Sequence, residues 1–220
     1  MCTYTPEQVL ALLTAAEDEG VKWAAFFATL AKTGMRPGEA VGLHWSDVDL
    51  ERGYIRVMRS AGYVRGRGVI EKPTKTKGSR RPLVLGGGLA AMLKRHRADQ
   101  SAQRLLAGSA WEDNGLVFTG SAGRHLQDSV YHKAFTRICE RAGIPRLRVY
   151  DLRHTAASVM LALGQNPKVV AEQLGHSDIR LTLNTYSHVL PTVAAEAAAQ
   201  LDAAFSPPTS PPTLAALGMS

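Results

Sequence analysis

The sequence predicts an α+β fold that is mainly α-helical and carries one small antiparallel sheet of three strands. Three observations support this prediction. Apolar residues recur at helical spacing through most of the 220 residues. Between residues 54 and 85 that periodicity gives way to short β-type segments. Pro and Gly stand at the boundaries between segments, where they commonly begin and end helices.

Three helices are predicted near the N-terminus. A Thr-Pro pair starting at Thr5 supplies an N-cap and a first helical residue. A more apolar helix over residues 21–32 ends at Gly34, and Pro37 begins the next one. Arg36 therefore lies at a helix N-terminus, where free N–H groups and the helix dipole favour a phosphate.

The strands of the sheet are predicted at residues 54–57, 69–71 and 81–85. The connection between the last two, residues 74–80, would be a hairpin tip that is crowded with cations. Like charges at a tight turn cost free energy unless an anion approaches them.

Helices are predicted for most of the remaining chain. Their bounds are 89–106, 126–142, 151–163, 167–174, a helix that Asp178 caps and that carries Tyr186, and an Ala-rich helix at 192–205. Residues 1–205 are expected to form one domain, and residues 206–220, which contain four Pro, a flexible tail.

The charge of the chain is concentrated in one block. Residues 52–104 carry fourteen cations and two anions, whereas the formal net charge of the whole chain is +7. Such a block indicates a surface for a polyanion, and a solvated basic face is the alternative.

Several classes of protein are disfavoured. The apolar stretches are shorter than a membrane span, and Cys2 and Cys139 lie too far apart to suggest a disulfide framework, so we expect a cytoplasmic protein. The triple Gly at 86–88 lacks the ending of a phosphate loop, and Ser121 is not in a hydrolase elbow. The His and Cys spacings do not indicate a zinc site.

Five short motifs stand out along the chain. They are TGMRPGE at 33–39, TKTKGSR at 74–80, YDLRH at 150–154, LGHS at 174–177 and TLNTYSH at 182–188. Their order and spacing resemble the tyrosine recombinase family, the phage-type integrases, over roughly residues 3–205. The resemblance implies the family's catalytic domain, without its N-terminal core-binding domain. It also implies a site-specific recombinase that cuts and rejoins DNA strands without metal, ATP or any other cofactor.

The resemblance assigns the central chemistry to three residues. Tyr186 is the expected nucleophile, which keeps the energy of the broken phosphodiester bond in a 3′-phosphotyrosyl link. Arg36 and Arg153 are the expected clamp on the non-bridging phosphate oxygens, because planar guanidinium groups bind two such oxygens at once. A structural Tyr and surface arginines are the alternatives for isolated residues of these types.

Further roles follow from the same resemblance. Lys75 is the expected general acid that protonates the 5′-oxygen, and Lys77 is its rival. Lys77, Arg80 and Arg81 are expected to contact DNA phosphates without reading sequence. His176 is expected to support the scissile phosphate as a hydrogen-bond donor, with a capping or core His as the alternative.

One position departs from the family pattern. The motif His-x-x-Arg has Tyr150 as its first member here, so the resemblance includes Tyr150 in the expected catalytic set. A phenol can still donate a hydrogen bond, but it cannot shuttle protons easily near neutral pH. His154 belongs to the flank of this motif and is interpreted as structural. Glu39 and Asp151 are candidates for orienting the arginines, and surface salt bridges are the alternative for both.

The expected partners are double-stranded DNA and further copies of the chain, as a homotetramer on paired DNA sites, with no membrane. The expected origin is bacterial or phage-encoded. Two other functions stay open: a topoisomerase of type IB with the same chemistry but no site specificity, and a DNA-binding regulator derived from the family that has lost turnover.

Overall fold

The computed structural model describes residues 2–64, 66–73, 80–176 and 178–186, and single residues up to 205 (198, 201, 202 and 205). The described α-helices are α1 Pro6–Asp18, α2 Val21–Thr33, α3 Pro37–Val41, α4 Gly87–Ala107, α5 Asp128–Ala142, α6 Asp151–Ala162, α7 Pro167–Leu174 and α8 Ile179–Tyr186. The described strands are β1 Val48–Asp49, β2 Tyr54–Val57, β3 Arg59–Val64, β4 Gly68–Pro73 and β5 Arg81–Val84. The predicted helix at 192–205 and the tail at 206–220 lie almost wholly outside the described residues.

The helix boundaries follow the local signals in the sequence. The Thr5 hydroxyl accepts a hydrogen bond from the Gln8 N–H, and the Thr5 N–H donates to the Gln8 side chain, which forms a capping box at the start of α1. Gly34 ends α2 in the left-handed conformation, with φ 69°. Asn166 caps α7, and Pro167 is its first residue.

A three-stranded antiparallel sheet is present, with strand order β1-β2-β5. The predicted strand 69–71 does not belong to it, however. That segment lies in β4, which pairs with β3 in a separate two-stranded ribbon, and the short β1 takes its place in the sheet. Pairing with β3 over six residues, from Arg59–Pro73 to Val64–Gly68, holds this segment in the ribbon.

The ribbon is held close to the start of α3. A side chain at Gly38 would lie 2.7 Å from the Ala61 carbonyl oxygen, and one at Gly42 would lie 2.9 Å from the Ala61 nitrogen. On the other strand of the ribbon, Glu71 contacts the imidazoles of His44 and His125 at 3.0 and 2.9 Å. These contacts fix β3 and β4 beside the helix that begins after Arg36.

The main core surrounds α2, which packs against α1, α3, α4 and α6. Phe26 and Phe27 are fully buried, and their rings contact those of Phe118 and Phe135. The described part of the chain contains no helix of the length and apolarity needed to cross a membrane.

A second, smaller core joins α6, α7 and α8. Met160 and Leu161 of α6 pack there with Val170 and Leu174 of α7, and Tyr186 belongs to the same cluster. The predicted nucleophile is therefore anchored on α6 and α7 by its own packing.

Candidate active site

Arg36 is the N-cap residue of α3 and is about one third exposed. Its N–H donates to Glu39 Oε2 at 2.9 Å, and its Nη1 donates to Glu39 Oε1 at 2.8 Å. The other guanidinium N–H groups of Arg36 stay near a cleft that the ribbon borders. This arginine is held by a carboxylate and still accessible to an anion.

Arg153 is buried on α6, with a relative exposure of 2%. Its Nη1 donates to the Gly34 carbonyl at 2.8 Å, and its Nη2 donates to the Leu174 carbonyl at 2.6 Å. Burial and the positive charge of Arg36 lower the pKa of Arg153 to about 10, so the guanidinium is still charged at neutral pH. Gly34 and Leu174 precede Arg36 and His176 by two residues, so these two hydrogen bonds hold Arg153 beside both segments.

Glu39 is a buried anchor for two arginines and not a surface salt bridge. Besides Arg36 it accepts hydrogen bonds from Arg81 Nη2 and Nη1, at 2.9 and 3.1 Å. Burial alone would raise the pKa of Glu39, but the hydrogen bonds and charges of Arg81 and Arg36 outweigh it and hold the pKa below its usual value. Glu39 is therefore a carboxylate at neutral pH.

The prediction that Arg81 contacts DNA phosphates is wrong. Its side chain is 5% exposed, and its Nε donates to the Gln173 carbonyl at 2.6 Å. Strand β5 alternates buried and exposed residues, which places Arg81 on the same inward face as Leu83. Arg81 links Glu39 to the end of α7 and acts on the site through them.

His176 follows Gly175, which ends α7 in the left-handed conformation with φ 68°. Its Nδ1 lies 2.8 Å from the hydroxyl of the buried Thr182 on α8. Burial, followed by the charges of Arg153 and Arg36, lowers the pKa of His176 to about 4. The imidazole is neutral at pH 7 and feels the charge of both arginines; its role as a hydrogen-bond donor to the scissile phosphate stays a prediction.

Tyr186 is the last residue of α8 and is 1% exposed. Its hydroxyl lies 2.7 Å from Nδ1 of His154. Burial raises the pKa of Tyr186 to about 12, although the charge of Arg153 acts in the opposite direction. The hydroxyl therefore carries its proton at neutral pH.

The sequence interpretation of His154 as a structural residue missed this contact. The spacing of four residues places His154 beside Tyr150, but it does not indicate a contact with Tyr186 on α8. Their rings lie 5.4 Å apart, edge to face, and Tyr150 is 40% exposed. Asp151 does not orient either clamp arginine, because it pairs with Arg148 at 2.7 Å.

The predicted general acid, Lys75, and its rival Lys77 lie outside the described residues, in the segment 74–79. The flanks of that segment are described: Pro73 lines the cleft of about 420 Å³ that Arg36 and Glu39 also line, and Arg81 binds Glu39. The described residues on the two sides of this segment, Pro73 and Arg81, thus lie near Arg36 and Glu39. Arg80, at its end, is exposed.

Comparisons with known proteins identify the family and the fold. Residues 3–192 match the model of the phage integrase family. A tyrosine recombinase XerC-like protein of Caldanaerobacter subterraneus subsp. tengcongensis is 35% identical over 214 residues, which are 92% of this chain and 54% of that protein. The chain spans about half the length of the curated relatives it matches.

Solved structures share the fold. The Tn1549 transposon integrase in complex with circular intermediate DNA has a TM-score of 0.74 at 23% identity, over 91% of this chain and 67% of that one. The catalytic domain of bacteriophage HP1 integrase has a TM-score of 0.57 at 21% identity, over 96% of this chain and 99% of that one. The fold is thus that of tyrosine recombinase catalytic domains, and the chain belongs to the phage integrase family.

Proposed function

We propose that this chain is the catalytic domain of a site-specific DNA recombinase that acts through a 3′-phosphotyrosyl intermediate on Tyr186. One observation carries the proposal. Two arginines, a neutral imidazole and a tyrosine hydroxyl come from four separate segments of the chain and converge on one site. Residues 36, 153, 176 and 186 hold the positions that the resemblance to the family assigns to its phosphate-binding groups and nucleophile.

The proposed reaction exchanges one phosphoester for another. The Tyr186 hydroxyl oxygen attacks the scissile phosphorus, loses its proton to a base, and forms the phosphotyrosyl bond while the bond to the 5′-oxygen breaks. The leaving 5′-oxygen takes a proton from a general acid, for which Lys75 is the first candidate and Lys77 the second. Attack by a 5′-hydroxyl of the partner strand reverses these steps and rejoins the DNA.

The arginines stabilise the charge that gathers on the non-bridging oxygens. Arg153 uses two of its five N–H groups on the Gly34 and Leu174 carbonyls, which fix its orientation before DNA binds. Its other N–H groups and those of Arg36, which is about one third exposed, can bind phosphate in a preorganised geometry. The neutral His176 supplies a further hydrogen bond, and its pKa rises when the anionic phosphodiester approaches.

Basic residues on the ribbon extend the surface that DNA would contact. Arg67, Lys72 and Arg80 are exposed, and with Lys77 they supply charge without sequence readout. Acting on paired sites requires further copies of the chain, for which we propose a homotetramer. We also propose a cytoplasmic, DNA-associated protein, since the matched relatives include bacterial and phage integrases.

The test is covalent trapping on nicked DNA. The full chain is incubated with a pool of duplexes that carry a nick near a randomised site, and adducts are resolved by denaturing gel electrophoresis. We expect an adduct with the unchanged chain and none with Tyr186→Phe. Relaxation of any supercoiled plasmid would instead identify the topoisomerase activity. Salt-sensitive binding that Tyr186→Phe leaves unaltered, with no adduct, would identify a regulator without turnover.

A further inference from the structure

The proposed nucleophile needs a proton acceptor. With a pKa of about 12, Tyr186 is ionised in roughly one molecule in 30,000 at pH 7.5. A phenol attacks phosphorus much more slowly than a phenolate, so the proton has to leave during the attack. The acceptor must lie within hydrogen-bond distance of the hydroxyl oxygen.

Among the described residues, His154 occupies that position. Its Nδ1 is 2.7 Å from the Tyr186 hydroxyl oxygen, which is an ordinary hydrogen-bond distance. Tyr150, at the family's usual His position, is itself a phenol and cannot serve as a base near neutral pH. The Nδ1 of His176 is engaged with Thr182 at 2.8 Å.

The protonation state of His154 suits an acceptor. Burial, partly opposed by the negative charge of Asp151, lowers its pKa below the usual value, so the imidazole is neutral at pH 7. With its proton on Nε2, Nδ1 accepts the hydrogen bond from Tyr186. Among the described residues, the charged and titratable groups near His154 include Arg148, Tyr150, Asp151, Arg153, His176 and Tyr186.

We propose that His154 is the general base for Tyr186 and therefore a catalytic residue, an inference that rests on the proposed function. As the Tyr186 oxygen bonds to phosphorus, its proton moves to His154 Nδ1, the bond to the 5′-oxygen breaks, and the general acid protonates that oxygen. In the rejoining step the Tyr186 oxygen leaves and takes its proton back from the His154 imidazolium. The carboxylate of Asp151 favours the imidazolium in between.

Two substitutions separate a base from a structural contact. His154→Asn keeps a polar group that can accept a hydrogen bond near the hydroxyl, but it cannot take up a proton. His132→Asn, the same substitution at an exposed imidazole of α5, is the matched control. Single-turnover rates of adduct formation are measured on the nicked pool for each variant, with thermal unfolding and DNA affinity as checks of integrity. We expect His154→Asn to lower the rate by about 10²–10³-fold and His132→Asn to leave it unchanged.

A substrate with sulfur in place of the bridging 5′-oxygen distinguishes the base from the acid. Sulfur leaves readily without protonation. This substrate should therefore restore the rate of adduct formation in Lys75→Ala, whereas the rate of His154→Asn should stay low. Added imidazole should speed the smaller variant His154→Gly. In the unchanged chain, the rate should fall at acid pH as one group with a pKa below 6.5 becomes protonated.

Failure of the proposed function and failure of the base assignment give different results. If the unchanged chain forms no adduct, the proposed function falls and the inference with it. If the unchanged chain forms the adduct and His154→Asn stays within threefold of its rate, the base assignment alone is overturned. Rescue of His154→Asn by the sulfur substrate would overturn it too, because the residue would then act on the leaving group. If neither His154 variant folds, the pH profile of the unchanged chain is the test. A rate that does not fall at acid pH supports another base and overturns the assignment.

Discussion

Replacing Glu39 with Ala is expected to destabilise the protein strongly, because this carboxylate is the buried partner of two arginines. The side chains of Glu39 and Arg81 are 2% and 5% exposed, and two hydrogen bonds of 2.9 and 3.1 Å join them. Removing the carboxylate leaves the Arg81 guanidinium buried without its counter-charge. Breaking a buried pair in this way costs about 3–5 kcal/mol, which for a domain of this size lowers Tm by roughly 6–20 °C.

Urea unfolding followed by circular dichroism at pH 7 measures this loss. Glu51→Ala is the matched control, since Glu51 pairs with Lys94 at 3.0 Å with the two side chains 87% and 53% exposed. Exposed pairs of this kind contribute less than about 1 kcal/mol. The reasoning is refuted if Glu39→Ala loses no more stability than Glu51→Ala. Combining Glu39→Ala with Arg81→Met should recover part of the loss, because the buried charge is then gone as well.

The contribution of the Glu39 charge should also depend on pH. The pKa of Glu39 in the folded protein is below its ordinary value of 4.5. A carboxyl with a lowered pKa stabilises the fold above its unfolded pKa and loses that contribution as the pH falls through its folded pKa. The difference in unfolding free energy between the unchanged protein and Glu39→Gln should therefore be constant above about pH 5 and shrink in more acidic solution.

Two further predictions concern the elements that position the site. Gly34→Ala should destabilise the protein by at least about 2 kcal/mol more than Gly143→Ala in urea unfolding. Both glycines end helices at positive φ, but a Cβ atom at Gly34 would lie 2.6 Å from Leu174 Cδ2, whereas a Cβ atom at Gly143 would have no neighbouring atom within 4 Å. Equal losses of stability would contradict this steric explanation. Thr182→Val should lower the single-turnover rate of adduct formation by about tenfold and reduce stability by about 1 kcal/mol, because the hydroxyl that orients His176 is lost. An unchanged rate would mean that this contact does not determine the orientation of the imidazole.

Local signals in the sequence predicted much of the fold. The caps at Thr5 and Gly34 depend on neighbouring residues, and the structure confirms both helix ends. Strand pairing depends on distant residues, and there the prediction was partly wrong. The β-type sequence of segment 69–71 does not show which strand it pairs with. In the structure it pairs with β3, in the ribbon that packs against Gly38 and Gly42.

In the candidate site, too, the sequence predicted what local motifs determine and missed contacts between distant residues. Motif spacing predicted Arg36, Arg153 and His176, and in the structure Arg153 binds the carbonyls of Gly34 and Leu174, two residues before the other two. The burial of Arg81 was readable from the alternation of β5, but its place beside a cation-rich segment suggested a phosphate contact instead. The contact of His154 with Tyr186 joins residues 32 positions apart on two helices, and periodicity within either helix cannot reveal it.

The two carbonyl contacts of Arg153 have a consequence for how this domain can lose activity. Gly34 and Leu174 lie at the C-terminal ends of α2 and α7, where carbonyl groups lack partners within their own helices. A single guanidinium closes both helix ends and balances the negative ends of their dipoles. Arg153 therefore joins these two helix ends, in addition to its proposed role as a phosphate ligand. A descendant that gives up strand cleavage and keeps binding DNA should discard Tyr186 first and retain Arg153, and an engineered inactive version should be made the same way.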